Sequence, residues 1–360
     1  KRNPKSQIRS ILVIGGAGYI GSSLLKMLLE RGYHVRLLDL FIYGYEPISK
    51  ERNHPNLDIM EGDLRRVENV VEAMKGMDAV IHLGALVGDP ACAVDEKMTL
   101  EINLMATRLV AEVAKAQKIQ RFIFASTCSV YGASDEILDE HSMLNPVSLY
   151  AKTKIASERV LNELKDNNFT PVILRFGTIY GLSGRTRFDL VVNLLTAKAI
   201  MDDKITLFGG AQWRPFLHVD DAALSILMIL EAHIQRIKNE TFNIGSDEQN
   251  MTLKQVGELI NRLVPSAELV DLGSSDDRRN YRVSFKKIFN MVGFKPRWTM
   301  EDGVKQVIMA FKNGQIQDYQ DSKYSNVKYL TQDFLEQLNY TTGWEEKLIQ
   351  QSGPIAAKMK

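Results

Sequence analysis

Between residue 10 and about residue 176, short runs of apolar and β-branched residues alternate with longer stretches whose apolar positions recur every three or four residues. The first pattern suits a strand buried on both faces, and the second suits a helix lying on a sheet. Residues 10–14 read as a strand and 19–31 as a helix; 35–38 form a second strand closed by Asp39, and 58–61 a third, with a helix from about 67. Residues 78–83 and 121–126 predict two more strands, separated by one long helix over 98–117. A helix over 150–165 and a strand over 171–176 complete the series. Such alternation predicts an α/β domain built on a doubly wound parallel sheet.

Past residue 177 the alternation loosens. Helical patterns at 189–201, 220–231 and 252–263 are mixed with strands at 213–218 and 240–244. This half predicts a smaller mixed α/β lobe, interleaved with the last strands of the sheet. The expected organisation is a doubly wound domain at 8–177, a second lobe at 178–317 and a C-terminal extension at 318–360. The extension is polar and tyrosine-rich, with an amphipathic stretch near 334–338. It either packs on the body or a second subunit, or runs into solvent.

Composition narrows the classes. The 360 residues suffice for two lobes sharing a cleft; 45% are hydrophobic, 25% charged, and the net charge is +1. That balance offers no electrostatic footing for nucleic acid or an anionic membrane surface. Apolar runs are far too short for a bilayer span. The opening residues 1–9 are polar and do not resemble a secretory leader. Two cysteines, Cys92 and Cys128, have no metal-ligand spacing with the six histidines and make no disulfide framework. The expectation is a cytoplasmic protein with no metal.

The first strand runs directly into a glycine turn and a helix: Ile11-Leu-Val-Ile-Gly15-Gly-Ala-Gly18-Tyr19-Ile20-Gly21. In that context Gly15 permits the sharp turn, Gly18 lets a pyrophosphate approach the backbone, and Gly21 lets the helix lie close to the sheet. The free N–H groups and dipole of the helix start then face the phosphates. Asp39, closing the second strand, is placed to accept the adenosine ribose hydroxyls and to repel a 2′-phosphate, which favours NAD over NADP. Arg36, two positions before the strand's last residue, points the other way. Asp63 is a candidate for the adenine amino group, beside Leu64, and Leu83 and Ala85 mark a small-residue crossing at the next strand end.

Tyr150 and Lys154 stand one helical turn apart, on one face. An ammonium beside a phenol favours phenolate and lowers its pKa from about 10. The lysine is also a candidate to hold a nicotinamide ribose. Ser126-Thr127-Cys128-Ser129 follows a buried strand, so its hydroxyls fall at the carboxyl edge of the sheet, where Thr127 can hold a substrate hydroxyl near Tyr150. The combination points to hydride transfer from a carbinol carbon.

These segments, together with Arg175-Phe-Gly-Thr-Ile-Tyr-Gly181 and Arg214-Pro-Phe-Leu-His-Val-Asp-Asp221, resemble the extended short-chain dehydrogenase/reductase family, and within it the nucleotide-sugar epimerases, dehydratases and reductases. The resemblance spans roughly residues 10–315 and implies a Rossmann-type fold. It implies Tyr150 as acid/base, Lys154 as its electrostatic partner and Thr127 as the third hydroxyl, with Asn103 beside the site and Phe176 near the nicotinamide. A nucleotide-diphosphate sugar needs cations from the smaller lobe. Arg214 is the candidate by resemblance and Arg279 the second, with Arg185, Arg187 and Asn193 following Gly181. Arg185 and Arg278 are equally readable as surface charges. His218 reads as a hydrogen-bonded structural residue.

The resemblance also implies a homodimer, with the helices over 98–117 and 150–165 of each copy forming a four-helix bundle. The 4,6-dehydratases of the family carry an Asp-Glu pair after the threonine. Here those positions are Cys128 and Ser129, so water elimination lacks its acid/base pair. The leading expectation is an NAD-dependent nucleotide-sugar epimerase that transiently oxidises a sugar hydroxyl, at carbon 4. Its alternative is a carbon-4 dehydrogenase or ketoreductase of the same substrates, since Arg187-Phe-Asp-Leu-Val-Val-Asn193 and Asp277-Arg-Arg-Asn-Tyr-Arg-Val283 look like segments of a branch that includes a GDP-heptose carbon-4 dehydrogenase. A non-catalytic NAD-binding scaffold is the reading of another class, and an intact Thr127/Tyr150/Lys154 set argues against it.

Overall fold

The computed structural model describes residues 8–273, 277 and 279–330. Its seven-stranded sheet comprises β1 (Ser10–Ile14), β2 (His34–Asp39), β3 (Leu57–Glu61), β4 (Ala79–His82), β5 (Arg121–Thr127), β6 (Thr170–Phe176) and β7 (Thr241–Ile244). All pairings are parallel, in the order β3-β2-β1-β4-β5-β6-β7. The order reverses between β1 and β4, and ligand crevices of such sheets open there, outside the carboxyl ends of the strands. Register sharpens this: Ile14 lies opposite Leu38 on one side and His82 on the other. The three following turns therefore share one edge.

Strand alternation divides the core. Ile11 and Val13 enter one apolar cluster with α1 (Tyr19–Glu30) and a later helix, Val219–Glu231. Leu12 and Ile14 enter the other, with α2 (Val67–Met74), α3 (Ala106–Ala116) and α4 (Leu149–Leu164). Each fully buried Leu or Ile contributes about 1.5–3 kcal/mol. Interleaving runs both ways. β7 and the helix Val219–Glu231 complete the first layer from beyond residue 177. Conversely, Ala133–Leu138, an exposed polar segment that the hydrophobic pattern did not mark as a strand, pairs with Asn280–Val283. The second lobe has a three-stranded sheet of Thr178–Tyr180, Trp213–His218 and Asn250–Thr252. Its core gathers Phe216, Ile205, Val256 and Val304.

One predicted helix is not continuous. The segment expected over 98–117 is an α-turn at Glu96–Leu100, a π-helical turn at Glu101–Met105 and then α3. The wide turn leaves the Asn103 carbonyl to two hydroxyls, Thr107 Oγ1 and Ser157 Oγ, each at 2.8 Å. The helix expected over 189–201 begins later, at Val191, because Asp189 is held by side-chain bonds outside it. The first part of the extension packs on the body: Leu330 is buried with Leu86, Cys92 and Ile102. The amphipathic stretch at 334–338 lies outside the described residues. No described helix is long and apolar enough to cross a membrane.

Candidate active site

The glycine turn is built as the sequence requires. Gly15 has φ +78°, and a Cβ there would lie 2.5 Å from the backbone N of Gly84 in the loop after β4. At Gly21 a Cβ would lie 2.5 Å from Gly16 backbone atoms, so only glycine lets α1 start so close to the turn. At Gly18 a Cβ would meet only the Gly15 carbonyl, at 3.3 Å. Gly18 is the N-cap of α1, with no side-chain cap and no acidic residue in the first turn. The amides and positive end of α1 are thus left to an anion.

One cleft runs from this turn to the end of β6. It is lined by Gly15, Gly18, Tyr19, Ile20, Gly21, Asp39, Asp63, Leu64, Leu83, Ala85, Thr127, Tyr150, Lys154 and Phe176, and on the second-lobe side by Arg187 and Arg279. Asp39 accepts from Ala17 N at 2.9 Å and Phe41 N at 2.8 Å, which fixes its carboxylate at the strand end, while burial raises its pKa. Arg36, the feature that weighed against NAD, is turned away. Its guanidinium binds Asp58 at 2.7 Å and the carbonyls of Glu72, Ala73 and Lys75. The Asp63 carboxylate is forked by Arg65, with Nη2–Oδ2 at 2.7 Å. These walls fit a dinucleotide with an unphosphorylated adenosine ribose.

Three expected contact residues do not line the cleft. Asn103 is buried behind it: its amide accepts from Leu86 N at 2.8 Å and donates to Leu86 O at 2.9 Å. It fastens the wall after β4. Asn193 is buried as well, accepting from Gly181 N at 2.9 Å and donating to Arg187 O at 2.8 Å and to Tyr19 Oη at 3.2 Å. Tyr19 Oη in turn donates to Gly181 O at 2.6 Å, tying the glycine helix to the second lobe. Arg214 is buried and spent on Trp213 O, Arg279 O, Gln212 and Asp277. Arg279 shares Asp277 and reaches Asp89 at 3.4 Å, and Arg187 is forked by Asp189 at 2.9 and 3.0 Å. His218 is structural as expected: it stacks on Trp298 at 3.9 Å and meets Gln306 at 2.9 Å.

The candidate reactive residues stand on α4 and the end of β5. Ser148 caps α4, accepting from Ala151 N at 3.2 Å, which sets Tyr150 in the first turn and Lys154 one turn deeper. Thr127 Oγ1 accepts from Ser129 N at 3.1 Å and keeps its proton free to donate. The Tyr150 hydroxyl has no hydrogen-bond partner among the described residues. Contrary to the sequence expectation, its pKa is raised, not lowered. Burial dominates, because the Lys154 ammonium is drawn to the Ala125 carbonyl at 2.8 Å and over the Phe124 ring at 4.7 Å.

Burial pulls Lys154 down to about 8, against opposing contributions from Cys92 and Glu158. Above that pH the folded protein has released the proton that an unfolded chain holds to about 10.5, so this group makes stability rise with pH across that window. Below pH 8 both states are charged and the dependence disappears. In cofactor-free protein, the slope of stability against pH above pH 8, measured by denaturant unfolding, should be more positive in wild type than in Lys154→Met; equal slopes would refute the shift.

Behind these groups lies a buried ion pair. Arg175 Nη2 meets Glu158 Oε2 at 2.6 Å, Ser126 Oγ donates to Glu158 Oε1 at 2.5 Å, and Arg175 Nη1 donates to Tyr131 Oη at 3.0 Å. The network locks α4 to β5 and β6, and so fixes Tyr150 and Lys154 relative to Thr127. Cys128, beside Thr127, is fully buried with its thiol donating to Arg175 O at 3.2 Å. Burial pushes that thiol's pKa up, so it offers no acid at working pH. Residues that sequence reasoning did not single out also line the cleft: Tyr43, Asp89, Thr178 and Asn326. Thr178 was legible as the residue after Gly177 in a strand-end motif. Tyr43 and Asn326 carried no signal, since Tyr43 stands in a turn and Asn326 opens a single helical turn of the polar extension, neither beside a recognisable motif.

The family described as NAD dependent epimerase/dehydratase matches this chain over residues 11–245. An uncharacterized UDP-glucose epimerase, YtcB of Bacillus subtilis (strain 168), is 32% identical over 312 residues, covering 83% of this chain and 96% of its own. Among solved structures, UDP-glucuronic acid 4-epimerase from Bacillus cereus, in complex with UDP-glucuronic acid and NAD, has a TM-score of 0.76 at 28% identity. That similarity covers 84% of this chain and 99% of the other. MoeE5 in complex with UDP-glucose and NAD has a TM-score of 0.73 at 26% identity, covering 85% and 100%.

Proposed function

This chain belongs to the NAD-dependent epimerase/dehydratase family, and from that premise we propose that it is a nucleotide-sugar 4-epimerase acting on a UDP-hexose or UDP-hexuronate. One observation carries the reading: Thr127, Tyr150 and Lys154 line the same cleft as the glycine turn, while the positions after Thr127 supply no acid pair. Elimination is therefore unserved and reversible oxidation is served. The names of the similar epimerases support the substrate class.

Bound NAD supplies a hydride acceptor that can give the hydride back. Gly15, Gly18, Gly21 and Asp39 hold it, with Asp63, Leu64, Leu83, Ala85 and Phe176 along its length. Asn103 acts from behind, by fixing the Leu86 backbone. Thr127 and Tyr150 hold the sugar hydroxyl. Tyr150 takes its proton as the carbon is oxidised and returns a proton as the carbon is reduced. A phenol kept neutral by burial needs charge nearby to part with that proton, and Lys154 provides it while protonated. Arg187 and Arg279 face the diphosphate. Residues 8–177 act as the NAD-binding domain and 178–317 as the substrate lobe, with part of each sheet layer exchanged between them.

Incubating the protein with UDP-glucose or UDP-glucuronic acid should yield the carbon-4 epimer, followed by proton NMR, without net gain of reduced cofactor. Stoichiometric accumulation of NADH with no epimer would establish the dehydrogenase instead. A cytoplasmic setting is part of the proposal, supported by two free, buried cysteines. So is a homodimer through α3 and α4. Exposed Leu100 and Met105, next to α3, support it, and a monomeric mass at micromolar concentration would remove it.

A further inference from the structure

After the second lobe the chain returns across the cleft. Asn326–Tyr329 form one helical turn capped by Ser325, whose Oγ accepts from Lys328 N at 3.3 Å. Phe188 N donates to Tyr324 O at 2.9 Å, and Leu330 buries among Leu86, Cys92 and Ile102. The segment is thus pinned to both walls. It lies beyond the family match, which ends at residue 245.

Asn326 lines the cleft and is only 5% exposed, with every polar group in use. Its backbone N–H donates to Asp189 Oδ2 at 3.0 Å, its side-chain amide donates to Val87 O at 2.9 Å, and its Oδ1 accepts from Arg185 Nη2 at 3.0 Å. Val87 belongs to the wall that follows β4, whereas Arg185 and Asp189 belong to the second lobe. One side chain therefore bridges the two. Arg185 is the group that gains from it. Its guanidinium stacks over Tyr43 at 3.8 Å, forms no ion pair with a carboxylate among the described residues, and has an unpartnered buried Nε. Its Nη1 donates to Thr186 O at 3.4 Å, and Asp189, the carboxylate that acts on its charge, is already forked by Arg187, so the guanidinium is only partly compensated where it faces the cleft.

We propose that Asn326 is a positioning residue for the nucleotide-sugar site, holding Arg185 in place for a negatively charged part of the substrate. The proposal rests on the epimerase reading and extends it to a segment outside the family match. A free arginine side chain samples many rotamers, and ordering it on binding costs entropy. Clamping it between Tyr43 and the Asn326 amide removes that cost before the ligand arrives. Asparagine is the side chain that suits both contacts, presenting an acceptor to the guanidinium and a donor to the Val87 carbonyl. An aspartate would keep the first contact, but neutralise Arg185 and repel the Val87 oxygen.

The test uses full-length, NAD-loaded protein titrated with UDP-glucose and with UDP-glucuronic acid, reading Kd by calorimetry and kcat and KM by turnover. For Asn326→Ala the expected result is a Kd and KM raised about tenfold, kcat within about threefold of wild type, and unchanged NAD content. Asn326→Asp should weaken binding at least as much, although it keeps a partner for Arg185; a purely structural role would make it the milder change. Asn326→Ser, which keeps a small polar side chain in the buried site but reaches neither Val87 O nor Arg185 as the amide does, serves if the alanine protein does not fold, with the same expected direction. Wild-type Kd in these variants, or equal losses of kcat, NAD content and stability without a selective change in Kd, would overturn the assignment. A wild-type protein that binds neither sugar nucleotide would instead sink the epimerase reading on which it rests.

Discussion

Tyr150→Phe lowers kcat by about 10²–10⁴-fold while leaving NAD content and folding stability close to wild type. The magnitude is that of removing a positioned acid/base group. The selectivity follows from the structure: the phenol oxygen has no hydrogen-bond partner among the described residues, and the ring, packed beside Leu86 and Ile102, is kept by phenylalanine. Nothing that holds the fold is removed. Single-turnover reduction of bound cofactor, measured beside the NAD content of the purified protein, separates chemistry from binding. A variant turning over within about tenfold of wild type would mean that another group moves the proton.

Glu158→Ala destabilises the protein by about 3–5 kcal/mol, the range for stripping one partner from a buried ion pair. Arg175 would be left charged behind the active site, with the Ser126 hydroxyl also unpartnered on that side. Arginine is in effect always protonated, so once Glu158 is gone burial alone does not let the guanidinium escape by losing its proton. Glu158→Ala combined with Arg175→Met should recover much of the loss, since two uncharged side chains leave no bare ion. Denaturant midpoints across this cycle are the measurement, and a single-variant loss below about 1 kcal/mol would show that the pair is not structural.

What the sequence made legible follows from how local each constraint is. Gly15 and Gly21 were readable because their roles are steric and confined to one turn: a Cβ at either position would run into backbone atoms at 2.5 Å. Inner strands such as β1, β4 and β6 were readable because burial on both faces leaves continuous apolar runs. The π-helical turn at Glu101–Met105 was not readable, since apolar spacing on either side of it still suits one helix. The pairing of Ala133–Leu138 with Asn280–Val283 was hidden for a different reason, its segments being polar and far apart in the chain.

Long side chains were the least predictable part of the site. Arg214 and Arg279 both carry the charge a diphosphate needs and share Asp277, but only Arg279 lines the cleft, while Trp213 O, Arg279 O and Gln212 hold Arg214 within the lobe. Motif spacing fixes where a Cα sits, not which carboxylate a guanidinium finds. The Tyr150 pKa failed for the same kind of reason. Helical spacing put Lys154 on its face, yet burial and the Ala125 carbonyl decide the charge balance.

Epimerisation here requires one hydride to leave a sugar carbon and come back to it within a single site. The most direct measurement follows a UDP-hexose labelled with deuterium at carbon 4, supplied in excess over enzyme in ordinary water. The predicted result is full retention of the label at carbon 4 in both the recovered substrate and its epimer. Label lost to solvent or carried off on released reduced cofactor would contradict it.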